Sequence, residues 1–296
     1  MSASPYADLV ARVPVRTEEF ALRGGCTRAW VYGSDEAAQR IVFVHGLRGD
    51  HHGLEPIVAH LSGVRVIVPD LPGFGASPPL PADRHDVAGY AAWTRDLLAA
   101  VAPAGDAVLA GHSFGSIVAS AAVAGGADVR GLVLVNPIAA SALAGPRRFL
   151  TGLAVLYHRF AGALPERAGT WLLRHPLMTR IASVAMATTP DAALRRWIHA
   201  EHGRYFSTFA DRRSLLEAFH ASVRHDVGES AAGVGVPTLL VAAERDDIAP
   251  LPAQRALAER FADARLAVVP TTGHLAHYEA PAVVAREVGA FLAALP

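Results

Sequence analysis

At 296 residues the chain can bury a large core as one domain, or as one domain carrying an insertion, and it needs no covalent staples. Its 27 basic residues, all arginine, balance 27 acidic ones, so no global field of the kind that recruits nucleic acid or an acidic membrane is present. Cys26 is the single cysteine, which excludes an intrachain disulfide and fits a reducing compartment.

The first twenty residues hold no basic stretch leading into an apolar one, so no secretory signal is expected and the cytoplasm is the expected location. Residues 16–22 and 28–32, split by Gly24-Gly25, read as an opening hairpin. The apolar run ending at Val44 reads as a strand buried on both faces, and His45-Gly46 follows it into a loop. A helix over 54–61, a strand over 64–69, a glycine- and proline-rich turn over 70–77 and a helix over 86–101 come next. Val108, Leu109 and Ala110 then run into Gly111-His112-Ser113-Phe114-Gly115, and small and apolar residues continue at helical density: strand, tight turn, helix. The stretch 107–127 carries no charge, yet its glycines and the His-Ser pair in its middle rule out a membrane span. A further strand over 131–135 ends at Asn136-Pro137.

From 138 to 230 amphipathic helical patterns replace strands, over 149–160, 171–186, 190–202 and 212–223, with Thr189 expected as an N-cap and Pro190 at the first helical position. Strands resume over 238–242 and 264–269, and a last helix spans 281–295. Strands alternating with helices at this spacing imply a mostly parallel twisted sheet of about eight strands, covered on both faces, in the α/β class. Residues 1–137 and 231–296 read as the two parts of this core, and 138–230 as an inserted helical lid.

The chemistry gathers at three loops that follow strands. Glycines at 111 and 115 allow a turn sharp enough to hold its middle residue in a strained conformation and to push the Ser113 hydroxyl outward, while the Phe114 N–H, at a helix start, is left unpaired. Glu244, Asp246 and Asp247 follow the next-to-last strand, and Gly273-His274 follows the last one. Together these segments resemble the α/β-hydrolase family over nearly the whole chain: the elbow, then an acid loop ending in Pro250, then Gly273-His274 through Glu279 and Pro281. The resemblance implies Ser113 as nucleophile, Asp246 as the acid in preference to Glu244 or Asp247, and His274 as the base. It also implies an oxyanion hole made by the backbone N–H groups of Leu47 and Phe114. His45 and Asp70 are expected to hold loop geometry, and His277 to pack at the start of the last helix.

The function so implied is a serine hydrolase acting through an acyl-enzyme on a small-to-medium, largely apolar carboxylic ester, thioester or lactone, a small-molecule substrate. Carbon–carbon bond hydrolysis of a β-ketone on the same triad, or a slow ligand-binding protein of the same fold, are the alternatives. No cofactor is expected, and no metal, because neither His51-His52 nor His199 with His202 brings the carboxylate or cysteine partners that a structural or catalytic site usually requires. Residues 147–224 carry 12 Arg against five acids, which solvated helix faces or a preference for anionic substrates would explain. Leu153, Leu156, Phe160, Trp171, Met178, Met186, Trp197, Phe206, Phe209 and Phe219 are candidate pocket walls or core residues of this segment. Nothing in the sequence sets an oligomeric state.

Overall fold

A computed structural model describes residues 4–143 and 148–295; Arg147, at the start of the arginine-rich segment, lies outside the described residues. Eight strands form one sheet: β1 (Val15–Leu22), β2 (Gly25–Tyr32), β3 (Gln39–Val44), β4 (Val64–Pro69), β5 (Ala107–His112), β6 (Gly131–Val135), β7 (Thr238–Ala243) and β8 (Ala264–Val269). Their spatial order is β1-β2-β4-β3-β5-β6-β7-β8. The β1–β2 hairpin and the β2–β4 pair are antiparallel, and every pair from β4 to β8 is parallel. Burial follows position: β1, on the edge, alternates between sheltered and exposed residues, whereas β5, β6 and β7 are buried at every residue. The hairpin closes through Arg23 and Gly24, both at positive φ (50° and 75°), one residue earlier than Gly24-Gly25 suggests.

Helices α1 (Ala7–Val10), α2 (Glu55–Val58), α3 (Val87–Val101) and α4 (Phe114–Ala124) belong to the first part of the chain. Helices α5 (Arg148–Ala163), α6 (Glu166–Leu173), α7 (Pro176–Met186), α8 (Ala192–Tyr205) and α9 (Arg212–Arg224) follow β6. Then α10 (Gly228–Ala231) precedes β7, α11 (Leu251–Ala258) lies between β7 and β8, and α12 (Ala276–Glu279) and α13 (Pro281–Ala294) end the chain. One face of the sheet is packed by α3, α4 and α11 through Trp93, Leu97, Ile117, Val118 and Leu257; the other by α2 and α13 through Ile57, Val288 and Phe291. Fully buried Trp93 donates its indole N–H to Thr27 Oγ1 at 2.8 Å, which removes the cost of hiding that donor.

Two details of the helical segment differ from the sequence expectation. The single helix read over 171–186 is two, because Pro176 cannot continue α6 and instead opens α7, with the His175 ring accepting from the Leu177 N–H. Helix α8 begins at Ala192, not Pro190: Asp191 is the N-cap and accepts from the Ala193 and Leu194 amides, while Thr189 Oγ1 accepts from Asp191 N one step earlier. The segment docks on the core where Trp197 and Ile198 of α8 meet Leu275, Tyr278 and Tyr6.

Candidate active site

Ser113 sits between β5 and α4 at φ 52° and ψ −117°, a conformation that costs a residue with a Cβ about 1–3 kcal/mol. Its neighbours explain how the turn is held. A Cβ on Gly111 would stand 2.2 Å from Gly115 O, and one on Gly115 would stand 2.3 Å from Val44 O, so the crossing of strand and helix admits only glycine at both positions. The Ser113 N–H still donates to Val135 O at 3.0 Å, which keeps the strained residue in register with β6.

The partly exposed Ser113 places Oγ 2.8 Å from His274 Nε2, and His274 Nδ1 lies 2.7 Å from Asp246 Oδ2. A carboxylate can only accept, so Nδ1 carries the imidazole proton and Nε2 faces the serine hydroxyl as an acceptor. Asp246 is buried, whereas its neighbours Glu244 and Asp247 are exposed. Burial alone would raise the Asp246 pKa. His274 and the hydrogen bonds from Ala249 N–H and Asn136 Nδ2 outweigh that penalty and hold it below the usual carboxylate range. Asn136, at the end of β6 with φ 46°, is a site residue that sequence reasoning missed; its one signal was an Asn-Pro pair closing a strand. Glu279, which the sequence places in the motif after His274 without a role, accepts from the Gly273, Thr188 and Thr189 amides and so ties the histidine loop to the residues before α8.

The loop after β3 also approaches Ser113. A Cβ on Gly46 would be 3.3 Å from Ser113 Cβ, so this backbone approaches the serine as closely as a residue without a side chain allows. Leu47 follows it, and Phe114 is the first residue of α4, where the helix leaves its leading N–H groups without intrahelical partners. His45 is fully buried, accepting from Leu71 N–H at 2.9 Å through Nε2 and facing Gly46 O through Nδ1. Burial lowers its pKa and keeps it neutral, which makes it a brace of the loop. Asp70 likewise braces the next turn through the His51 and Ala76 amides, and a Cβ on Gly75 would fall 2.1 Å from its Oδ2.

Arg48, at φ 62°, reaches from the same loop to the carbonyls of Phe206 (2.9 Å) and Leu173 (2.8 Å) at the C-terminal ends of α8 and α6. Its burial, against only weak compensation from Tyr157, brings its pKa down to about 10.

The histidine clusters correct the sequence reading in one respect. His51 and His52 do have carboxylates beside them in space: His51 Nδ1 lies 3.0 Å from Asp70, and His52 Nδ1 3.2 Å from Asp50. Candidate ligand atoms of Asp50, His51 and His52 fall within 4.8 Å of one another; the hydrogen bonds engage one nitrogen of each imidazole, and the rings form a stack running from Trp30 to Tyr205. His277 packs against His112 with ring centroids 4.0 Å apart, beside His274. The candidate pocket walls also divide. Trp197 and Phe209 are buried in core clusters, and Phe219 stacks on His158. Leu153, Leu156, Phe160 and Trp171 are instead at least half exposed and face away from the protein.

A mostly parallel sheet with a strained serine on the turn from β5 to α4, and a histidine and an acid on loops after later strands, is the arrangement of an α/β-type hydrolase. The chain matches the model of the Alpha/beta hydrolase family over residues 41–287 and belongs to that family. It is an enzyme of the esterase and hydrolase type. Among curated relatives, the pimeloyl-[acyl-carrier protein] methyl ester esterase of Chromobacterium violaceum is 33% identical over 239 residues, covering 79% of this chain and 86% of that one. Among solved structures, an esterase from Exiguobacterium antarcticum superimposes with a TM-score of 0.76 at 18% identity, covering 94% of this chain and all of that one. The enol-lactonase from Burkholderia xenovorans LB400 gives 0.74 at 22% identity, covering 93% of this chain and all of that one; both likenesses concern the fold.

Proposed function

We propose that the protein is a serine hydrolase that cleaves a small-to-medium, largely apolar carboxylic ester, thioester or lactone, with Ser113 as nucleophile, His274 as general base and acid, and Asp246 as the group that orients His274 and stabilises the imidazolium formed when it takes the serine proton. The observation that carries this reading is the continuous hydrogen-bonded chain from Ser113 Oγ through His274 to a buried, ionised Asp246. The residues work as follows. His274 Nε2 takes the hydroxyl proton as Ser113 Oγ attacks the carbonyl carbon. The Leu47 and Phe114 N–H groups receive the developing oxyanion, each such donor being worth about 3 kcal/mol of barrier. The leaving alcohol departs with the proton from His274. A water then gives its proton to His274 and attacks the acyl-enzyme, releasing the acid and restoring Ser113.

The named relatives favour an ester or lactone bond, since one is an esterase of a methyl ester and another fold neighbour is an enol-lactonase. The reading includes no cofactor and no metal, a cytoplasmic location, and residues 138–230 acting as a lid over the site between the two parts of the core. A burst experiment tests it: wild type and Ser113→Ala are mixed with p-nitrophenyl esters of increasing chain length and with one β-diketone. A stoichiometric burst with wild type and none with Ser113→Ala is expected. Cleavage of the diketone without any ester would transfer the assignment to carbon–carbon hydrolysis, and silence of the folded protein on both would leave a binding protein.

A further inference from the structure

We propose that the outer face of the helical insertion is a docking surface for an anionic lipid bilayer, lying on the membrane and not crossing it. The starting observation is where the exposed large apolar side chains are. Among the described residues there are twelve, and nine of them lie on α5, α6 and α7. On α5, Phe149, Leu153, Leu156 and Phe160 recur at i, i+4, i+7 and i+11, one stripe along the helix, with exposures from 50% to 74%. On α7, Leu177, Ile181 and Val184 repeat the same spacing. Trp171 of α6, 65% exposed, is the most open indole of the chain.

The inward sides of these helices make the pattern more pointed. Helix α7 buries Thr179 and Ser183, and the Ser183 hydroxyl bonds to His199 Nδ1 at 2.6 Å and to His202 Nδ1 at 2.8 Å. Helix α5 buries His158 and Ala161. A surface helix in water turns its polar side out; α7 does the reverse, and α5 presents its longest apolar stripe to the outside.

Charge identifies the occupant. The five acids of the segment are each occupied: Asp191 and Asp211 cap helices, Glu166 pairs with Arg212, Glu201 with Arg204, and Glu217 with Arg213 and the His85 amide. Arg148, Arg159 and Arg180, each exposed and next in sequence to a stripe residue, and Arg167, exposed and one turn before Trp171, have no carboxylate within salt-bridge distance among the described residues. Apolar stripes flanked by an indole and by uncompensated guanidinium groups match the boundary of a bilayer, where the stripe enters the acyl region and the arginines meet lipid phosphates. A second copy of this face would bring those arginines against one another, so self-association is the poorer fit. No helix among the described residues is long and apolar enough to cross a membrane, consistent with seating on the surface.

The test uses the full chain and extruded vesicles of phosphatidylcholine, with or without phosphatidylglycerol. Co-sedimentation with the anionic vesicles is expected, weakening as salt rises, together with a blue shift of Trp171 emission that Trp171→Phe removes. Leu153→Ser with Leu156→Ser and Phe160→Ser should reduce binding at least about tenfold, and Arg159→Gln with Arg180→Gln should make its salt dependence shallower. All these positions are exposed, so the thermal midpoint and the rate on a water-soluble ester should stay at the wild-type level, which separates failure of docking from failure of the proposed catalytic site. Absence of wild-type binding to anionic vesicles, or equal binding by the stripe variants, would overturn the proposal. So would a dimer in analytical ultracentrifugation that the stripe substitutions dissociate in the absence of any vesicle binding.

Discussion

At Ser113 the backbone stores strain at the atom where chemistry is proposed, and the two glycines around it are spent on making that conformation reachable. The strain is separable from the hydroxyl. Ser113→Ala keeps the Cβ and therefore the strain, whereas Ser113→Gly releases it, so Ser113→Gly is expected to be more stable than Ser113→Ala by about 1 kcal/mol, a shift of roughly 2 °C, while both are inactive. Differential scanning calorimetry of the two variants decides the matter; equal midpoints would mean the turn is not strained. Ser113 was legible from the glycines of its strand-to-helix turn, and Asp246 and His274 from the resemblance of the loops after the last two strands to those of the α/β-hydrolase family. Asn136 was not, because its partner Asp246 lies 110 positions away and no local pattern links the two.

At the scale of elements, the alternation of strands and helices was readable because buried parallel strands are continuous apolar runs, unlike amphipathic helices. The break at His175-Pro176 was less so, since the apolar phase continues across it and only the proline interrupts the pattern. Periodicity yields a stripe but not what the stripe meets, which is why Leu153 and Phe160 read as wall or core and face outward. Contacts between distant elements were illegible for the same reason, and Arg48 is the chief example. Its planar fork satisfies two carbonyls at once, each at the negative end of a helix dipole, and joins the loop beside Ser113 to α6 and α8. An ammonium cannot span both. Arg48→Lys should therefore lose about 1–3 kcal/mol of stability in urea titrations, with faster amide exchange confined at first to the ends of α6 and α8. Uniform exchange changes, or none at those two helix ends, would show that Arg48 does not hold the insertion down.

For the molecule as a whole, formal neutrality conceals an unusual stock of buried neutral imidazoles. Burial pushes His112 down to about 3 and His158 and His202 to about 4, and His277 well below its ordinary value. In the unfolded chain these groups titrate near 6.5. Between that pH and their folded values the unfolded state binds more protons than the native one, so stability is complete above about 6.5 and falls as pH drops towards 4, at about 1.4 kcal/mol per pH unit for each histidine fully in this regime. His158 offers the cleanest check, because it lies on α5 away from Ser113, stacked on Phe219 with ring centroids 3.6 Å apart, and its Nε2 is buried without a partner among the described residues. His158→Phe keeps an aromatic ring in that stack and removes the proton site. Urea midpoints measured from pH 7 to pH 4.5 should decline for both proteins, with the variant's slope shallower by close to one proton; superimposable slopes would mean that His158 is already protonated in the native state or escapes burial in solution.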